Sequence, residues 1–353
     1  MHICARKLQR SDFFQQIRNN QYDIVKLIER YIEYVRNVKR YSERTFVIYR
    51  DVLKSYVSFI SKGAKEVDDS ELLESLNRSE IRQYEVYLLD EKKCKASTVN
   101  QHLSVLSGFC QFLVKRGDIK ANPVKLVARP KMEKRLPEFF RQDAMEGYFQ
   151  QTQRYASEEY LGQFVELAES ESKSSKEVYE QRLSRLIISL LYNLGLRRSE
   201  LISLRICDVD FAREVVNVTG KGNKSRAIPM VGMLTDEISL YLKAAETLVE
   251  GERPASEPLL ITFAGHKLYP VYVDRVVKKE LGDSTAFAGR KSPHVLRHSI
   301  ATGLLNEGAE LNSIKEMLGH SSLAATQVYT HNSIAKLKAV YKNAHPRAKR
   351  KTD

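Results

Sequence analysis

Helical periodicity in the first third of the chain is the feature that most restricts its fold. YDIVKLIERYIEYV and STVNQHLSVLSGFCQFLVKRG carry apolar side chains every three or four residues, a spacing that places them on one face of an α-helix. YSERTFVIYRDVLKSYVSFISKG and SEIRQYEVYLLDEK repeat the pattern. Four such helices can bury a common core. The first two stripes consist of Ile24, Ile28, Tyr31, Ile32 and Val35, and of Val99, Leu103, Leu106, Cys110 and Leu113.

Local signals predict where these helices begin and end. Ser42 and Ser79 precede apolar stretches and are predicted N-caps, because a serine oxygen accepts hydrogen bonds from the free amides of the first turn. Gly63 and Gly117 follow apolar stretches and are predicted stops. The exposed faces carry Lys, Arg, Gln and Asn. Such side chains suit contacts with phosphates and sugars, but they are equally typical of any solvated helix.

A basic segment with three prolines divides the chain. It reads DIKANPVKLVARPKMEKRLP, and proline disfavours regular structure in the residue before it. We therefore predict a helical domain over residues 20–117, a basic linker over 118–137 and a second domain over 138–341. A basic tail follows at 342–353. The linker's charge would suit a strap lying along DNA.

The second domain mixes helices with a predicted hairpin. RLSRLIISLLYNLGLRRSELISLRICDVD predicts an apolar helix, a break at Gly195 and a second helix. EVVNVTGKGNKSRAIPM predicts two strands joined at Gly-Lys-Gly-Asn, and PLLITFAG predicts another short strand. Helices are also predicted at 139–152, through SPHVLRHSIATGLLNEG and at 333–343. The predicted fold class is therefore mainly α with a small antiparallel β-sheet, in two domains. The acidic stretch 153–181 is either a helix–loop–helix insertion or a mobile loop.

The positive charge is concentrated at the two ends of the chain. The net charge is +13. Residues 1–135 hold 27 Lys and Arg against 17 Asp and Glu, a balance of 27 − 17 = +10. The tail 342–353 holds five bases and one acid, which gives 5 − 1 = +4. This distribution indicates a polyanionic partner, nucleic acid before others, although solubility alone would also account for it.

Several protein classes fit the sequence poorly. The apolar runs are short and interrupted by charge, so we expect no membrane-spanning helix. The first residues, MHICARKLQR, lack the apolar core of a secretory signal. The four cysteines lie far apart without a CxxC pair, which favours reduced thiols in a cytoplasmic protein over disulfides or a zinc site.

Four short segments of the second domain carry the residues from which a reaction can be built. Each segment alone is a weak signal, because an isolated Arg, Lys or His usually faces water or packs locally. The segments are Gly195–Leu201 (GLRRSEL), Gly220–Lys224 (GKGNK), His294–His298 (HVLRH) and Leu318–His320 (LGH), the last followed nine residues later by Tyr329.

Together these segments supply two guanidiniums, one ammonium, imidazoles and a phenol. Such a set suits phosphoryl transfer without a metal ion, since arginines can neutralise the charge that develops on the non-bridging oxygens. A phenol is a usable nucleophile because its pKa, near 10, lies well below that of an alcohol. HVLRH lacks the glutamate of a HExxH zinc site, and no cluster of carboxylates accompanies the histidines to hold magnesium.

The four segments resemble the signature segments of the tyrosine recombinase family, the phage integrase and Xer-type DNA strand-exchange enzymes. LGLRRSEL, GKGNKSRAIPM, HVLRHSIATGLL and LGHSSLAATQVYTH stand in that family's order. The resemblance covers most of the chain. It implies the two-domain tyrosine recombinase architecture, with a helical core-binding domain at 20–117 and a mixed α/β catalytic domain at 138–341.

The resemblance implies a role for each matching residue. Arg197 and Arg297 would clamp the phosphate, and Lys221 would be the general acid. His294 would assist proton transfer, and His320 would hydrogen-bond a non-bridging oxygen. The remaining implied residues are the nucleophile Tyr329, which would form a 3′-phosphotyrosyl link, and the orienting residues Glu200 and His298, of which His298 could equally serve helix capping or packing.

The resemblance also implies partners. The substrate would be double-stranded DNA with short inverted-repeat core sites, without cofactor, ATP or metal and away from membranes, in the cytoplasm at the nucleoid. A homotetramer on two sites, or a hetero-tetramer with a related recombinase, would exchange the segment at 333–343. That helix could instead fold back onto its own domain. Two other functions remain open: a type IB-like topoisomerase, and a non-catalytic DNA-binding protein of the same fold.

Overall fold

The chain divides into two compact units, residues 1–135 and 136–353. The computed structural model describes residues 25–39, 43–61, 66–132, 138–170, 173–220, 224–249, 251–282, 286–287 and 289–319. The predicted Ser42 and Gly63 helix limits lie outside these residues, as does the predicted helix at 333–343.

Every secondary-structure element in the described residues of the first unit is a helix. π-Helical turns lie at Tyr34–Val38 and Tyr87–Glu91, and a short 3₁₀-helix lies at Pro123–Leu126. The α-helices are α1 Lys26–Glu33, α2 Glu43–Ile60, α3 Asp69–Ser75, α4 Arg78–Val86 and α5 Ala96–Arg116.

The predicted apolar stripes form the core of this unit. All five stripe residues of α5 are fully buried, and the four of the first stripe that the structure describes are buried as well. Gly117 ends α5 in the left-handed conformation with φ 83°, as its position predicted. Helix α5 therefore supplies the central element against which α1 and α2 pack.

Two local predictions for this unit were wrong. The N-cap of α4 is Asn77, whose side chain accepts a hydrogen bond from the amide of Glu80 at 3.0 Å, and Ser79 lies inside the helix. The first part of the predicted linker belongs to this unit, because Val124 and Val127 are buried in its core. Burial of these two apolar side chains against the helices stabilises the packing of this stretch, although basic residues lie beside them in the sequence.

The second unit combines helices with a small sheet. Short 3₁₀-helices lie at Gln153–Ala156 and Ile206–Asp208. The α-helices are α6 Gln142–Gln151, α7 Glu158–Glu169, α8 Ser174–Asn193, α9 Arg198–Ser203, α10 Gly232–Glu246, α11 Pro270–Gly282, α12 Pro293–Asn306 and α13 Leu311–Leu318.

The sheet is antiparallel and consists of β1 Val209–Asp210, β2 Val215–Thr219 and β3 Ser225–Pro229, in the order β1-β2-β3. Strands β2 and β3 form the predicted hairpin, and Val218 pairs with Arg226 near the end that leads into the turn. The predicted fold class, mainly α with a small antiparallel sheet, is confirmed.

Helix α8 lies at the centre of this unit. Its residues from Leu183 to Asn193 are buried on every side, as expected of a helix surrounded by protein. It packs against α7, α10, α11 and α12. Residues at the end of α8 and just after it are thereby fixed from several directions, and these residues lead directly into GLRRSEL.

Two stretches without a firm prediction are now described. The acidic stretch 153–181 is helical in its described parts, so the helix–loop–helix alternative holds there. The strand predicted at PLLITFAG was wrong. Only the isolated bridges Arg205–Pro258 and Ile261–Lys267 occur near it, because no neighbouring strand continues the ladder. Within the described ranges, no helix is both long and apolar enough to cross a bilayer.

Candidate active site

The segment GLRRSEL is shaped by a break at its start and a carboxylate near its end. Gly195 takes φ 58°, and a Cβ there would lie 2.6 Å from Cδ2 of Leu318, so both conformation and space require glycine. Arg197 is the N-cap of α9. The side chain of Glu200 folds back and accepts the Arg197 backbone N–H at 2.8 Å and its Nη1 at 2.7 Å.

A buried arginine from the hairpin completes the environment of that carboxylate. Arg226 on β3 donates Nη1 to Oε1 of Glu200 at 3.1 Å and Nη2 to Oε2 at 2.9 Å. The two side chains are only 6% and 3% exposed. Such a two-pronged contact holds both groups in one orientation, because the planar guanidinium matches the planar carboxylate.

Arg297, the second predicted phosphate clamp, approaches the Glu200 carboxylate from another helix. Arg297 on α12 is buried and donates hydrogen bonds to the backbone oxygens of Gly195 and Leu318. Its Nη1 lies 3.9 Å from Oε2 of Glu200. The structure therefore brings together Arg197, Glu200 and Arg297, which the sequence places up to a hundred residues apart.

The end of α13 is held by all three guanidiniums. Arg226 Nε donates to the carbonyl oxygen of Met317 at 2.6 Å, Arg297 donates to the next carbonyl, and Arg197 Nη2 donates to that of Gly319 at 2.8 Å. Carbonyls at a helix C-terminus lack partners within the helix and carry partial negative charge, so they suit cationic donors. The chain continues from Gly319 directly into the His320 segment.

The cluster carries an excess of positive charge. Burial alone would raise the pKa of the Glu200 carboxyl, but hydrogen bonds and charge from Arg226 and Arg197 outweigh it and leave that pKa lowered. Burial, together with repulsion from Arg197 and Arg226, lowers the pKa of Arg297 to about 10. Arg297 is still charged at neutral pH, so three cations face one carboxylate. An anion beside Arg197, whose side chain is 36% exposed, would relieve this repulsion.

The adjacent Arg198 serves a different purpose. Its guanidinium pairs with Asp274 on α11 and holds α9 against that helix. The sequence GLRRSEL thus divides its two arginines between the cluster and the scaffold.

The predicted histidines lie on the first turns of α12. His294 is exposed and His298 is half-buried, one turn further along. Neither is joined to the Glu200 cluster by a hydrogen bond or ion pair that the structure gives. Their exposure leaves them available to a bound ligand. Three further predicted residues, Lys221, His320 and Tyr329, lie outside the described residues.

Arg226 is the site residue that sequence reasoning missed. Its signal was the alternation in SRAIP, where Arg226 and Ile228 occupy the inward-facing register of β3. An arginine in that register needs a buried partner. Among the described residues, no group of three or more His, Cys, Asp and Glu side chains is arranged to hold a metal ion.

Comparison with known sequences identifies relatives of nearly full length. Residues 159–336 match the Phage integrase family, and residues 28–117 match the phage integrase N-terminal SAM-like domain. Tyrosine recombinase XerC of Chlorobaculum parvum is 33% identical over 326 residues, which are 91% of this chain and 94% of that protein. XerC of Listeria innocua serovar 6a is 31% identical over 325 residues, 91% of this chain and 98% of that protein.

Solved structures share the fold. The Tn1549 transposon integrase in complex with transposon right end DNA superposes with a TM-score of 0.60 at 18% identity, covering 89% of this chain and 98% of that one. The XerH site-specific recombinase bound to palindromic difH gives a TM-score of 0.58 at 20% identity, covering 92% and 85%.

The buried carboxylate makes stability depend on pH. Because the folded-state pKa of Glu200 is lowered, its contribution is full above the ordinary value of 4.5 and is lost as pH falls through the folded-state pKa. We expect Glu200→Gln to lower the free energy of unfolding by about 3 kcal/mol at pH 7, because it leaves buried guanidiniums without their carboxylate. The difference in the free energy of unfolding between Glu200→Gln and wild type should narrow as pH falls below 4.5, the ordinary pKa of the carboxyl. Urea unfolding at a series of pH values measures this difference and its dependence on pH.

The exposed Glu316 offers a control, because Glu316→Gln removes a carboxylate near the end of α13 without touching the cluster. It should change stability by no more than a few tenths of a kcal/mol, as is usual at surface positions. A Glu200→Gln protein as stable as wild type at pH 7, or a difference that stays constant into acid, would contradict this account.

Proposed function

The chain belongs to the phage integrase family of tyrosine recombinases, as its four segments predicted, and on that premise we propose a role for each site residue. The protein is a site-specific DNA recombinase, a tyrosine-type DNA strand transferase. One observation carries the proposal for the site. Arg197 and Arg297 meet at one buried carboxylate with positive charge in excess, an arrangement suited to a phosphodiester.

In the proposed reaction the phenolic oxygen of Tyr329 attacks the scissile phosphorus. The bond from phosphorus to the 5′ oxygen breaks, which leaves a 3′-phosphotyrosyl link and a 5′-hydroxyl. His294 accepts the tyrosine proton, and Lys221 donates one to the departing oxygen. Arg197, Arg297 and His320 stabilise the non-bridging oxygens.

Rejoining reverses these steps with another strand. Its 5′-hydroxyl attacks the phosphotyrosyl phosphorus, tyrosine leaves, and a phosphodiester forms. One phosphoester bond replaces another in both cleavage and rejoining, so neither step requires ATP. The arginines supply the charge neutralisation that a metal ion supplies in other phosphoryl transferases. In this proposal Glu200 orients Arg197, and His298 supports the start of α12.

The proposed partner is double-stranded DNA with short inverted-repeat core sites. The excess of +10 over residues 1–135 supports it, since a basic surface releases counterions from DNA. Four protomers on two sites would act together, as a homotetramer or with a related recombinase. The stretch at 333–343 would dock on a neighbour, a head-to-tail contact that can close a ring. Action in the cytoplasm, at the nucleoid, follows from such a substrate.

A type IB-like topoisomerase is the alternative with the same chemistry, and a two-plasmid assay separates them. The recombinase proposal expects joint products only from plasmids that both carry the site, because exchange requires synapsis. Relaxation of supercoiled plasmids without site preference, and without joint products, would favour the topoisomerase. Tight DNA binding with neither activity would favour a non-catalytic protein.

The nucleophile is tested by trapping its covalent link. Nicked DNA drawn from the source genome loses a short 5′-hydroxyl strand after cleavage, so the attached protein cannot reverse the reaction. We expect an SDS-resistant adduct with wild type and none with Tyr329→Phe. Tyr269→Phe is the matched control, because Tyr269 is an exposed tyrosine of the same unit. An adduct that persists in Tyr329→Phe would contradict the assignment.

The general acid is tested by changing the leaving group. Lys221→Ala should slow cleavage by about a hundredfold or more, as expected when a general acid is lost. Sulfur in place of the 5′ oxygen should restore the rate, because a thiol's pKa near 8.5 lets it leave without a proton. Lys224→Ala, three residues along the same hairpin, should cleave both substrates as wild type does. Failure of the sulfur substrate to rescue Lys221→Ala would remove Lys221 from this role.

A further inference from the structure

We propose that Arg226 is a positioning residue for DNA strand transfer. Its guanidinium orients Glu200, and through it Arg197, and it fixes the end of α13 from which the chain continues to His320. The inference rests on the proposed function, because it assigns Arg226 a place in the same site.

The contacts of Arg226 join the segment GLRRSEL to the end of α13, one residue before the segment LGH. Two of its nitrogens bind the two oxygens of Glu200 at 3.1 and 2.9 Å, while Nε binds the Met317 carbonyl oxygen at 2.6 Å. These are three donors in one rigid plane, aimed at two separate pieces of chain. A lysine has one point of charge and cannot reproduce the geometry.

The hairpin segment also lies against Arg226 and Glu200. Arg226 pairs with Val218 across β2 and β3, so it stands close to the tip that begins at Gly220. A Cβ on Gly220 would lie 3.4 Å from Oε1 of Glu200 and 3.6 Å from Nη1 of Arg226. Residue 221, the proposed general acid, follows directly.

The backbone of Gly319 lies close to the guanidinium of Arg226. Gly319 ends α13 with φ 63°, and a Cβ there would lie 3.1 Å from Nη1 of Arg226 and 3.3 Å from its Cζ. A side chain at this position would meet both an unfavourable backbone conformation and the guanidinium. Gly319 and Arg226 therefore constrain each other's position at the end of α13.

Burial separates Arg226 from the residues proposed to touch DNA. Its side chain is 6% exposed, whereas that of Arg197 is 36% exposed. Arg226 thus acts through Glu200 and the backbone, and Arg197 presents the charge. Apolar replacements of a buried ion pair are often as stable as the pair, so stability alone is a weak reason for this arginine. The geometry of its contacts supplies a stronger reason for an arginine at this position.

The test compares two buried arginines of the same unit. Arg185 pairs with the buried Glu237 at 2.9 Å, the same distance as Arg226 and Glu200, but outside the site. Arg226→Lys and Arg185→Lys both keep the charge and lose the planar fork. We expect both to bind DNA within threefold of wild type. Adduct formation on nicked DNA should slow about a hundredfold for Arg226→Lys and stay within threefold of wild type for Arg185→Lys.

The pH profile supplies a readout that a merely structural role would not move. In Arg226→Lys the Glu200 carboxyl loses hydrogen bonds that lower its pKa, so that pKa rises. Protonated Glu200 no longer orients Arg197 as a carboxylate. The acid limb of the cleavage rate should therefore move to higher pH in Arg226→Lys and stay in place in Arg185→Lys.

A second pair of variants tests the inference with the arginine intact. Gly319→Ala would press on the guanidinium, whereas Gly308→Ala carries the same kind of backbone strain, at φ 83°, with no atom within 4 Å. We expect Gly319→Ala to slow cleavage about tenfold and Gly308→Ala to leave it within threefold. This comparison decides the matter should Arg226→Lys fail to fold.

Cleavage by folded Arg226→Lys at the wild-type rate and pH profile would overturn the inference. Equal slowing of cleavage in a site variant and its matched control, in either pair of variants, would also overturn it. The slowing would then reflect general destabilisation of the protein. A wild-type protein without any adduct, by contrast, would overturn the proposed function itself.

Discussion

The buried carboxylate of Glu200 is the group on which the arrangement of the site depends. A carboxylate removed from water must be compensated, and here Arg197 and Arg226 hydrogen-bond it while Arg297 adds charge nearby. The guanidiniums require acceptors in turn. They find them in the carbonyls at the end of α13 and after α8. Removing any one member takes a partner or a neighbouring charge from the others, so the cluster acts as a unit.

This mutual dependence links the cluster to α8, the helix at the centre of the second unit. Its residues from Leu183 to Asn193 are buried on every side, and Gly195 follows just beyond its end. The Gly195 carbonyl accepts a hydrogen bond from Arg297, and a Cβ on Gly195 would lie 2.6 Å from Cδ2 of Leu318. A rigid element thereby fixes both the start of GLRRSEL and the position of α13. The surplus of positive charge is held in place before any phosphate arrives. Such preorganisation is what electrostatic catalysis requires.

The sequence predicted those features that depend on local spacing. Helical stripes such as Val99 to Leu113 were correct because each side chain's face follows from the 3.6-residue period. The hairpin of β2 and β3 was correct because its turn residues are distinctive. The cap of α4 was placed at Ser79 instead of Asn77, since several polar residues in a row can cap. Arg226 was missed because its partners lie 26 and 91 residues away, and no local pattern records such contacts.

The most direct test of the account identifies the amino acid that becomes attached to DNA. The trapped complex would be digested with nuclease and protease, and the modified peptide sequenced by tandem mass spectrometry. We predict a nucleotide joined through its 3′-phosphate to Tyr329, together with a free 5′-hydroxyl on the released strand. A nucleotide on any other residue, or a 5′-phosphate linkage, would contradict it.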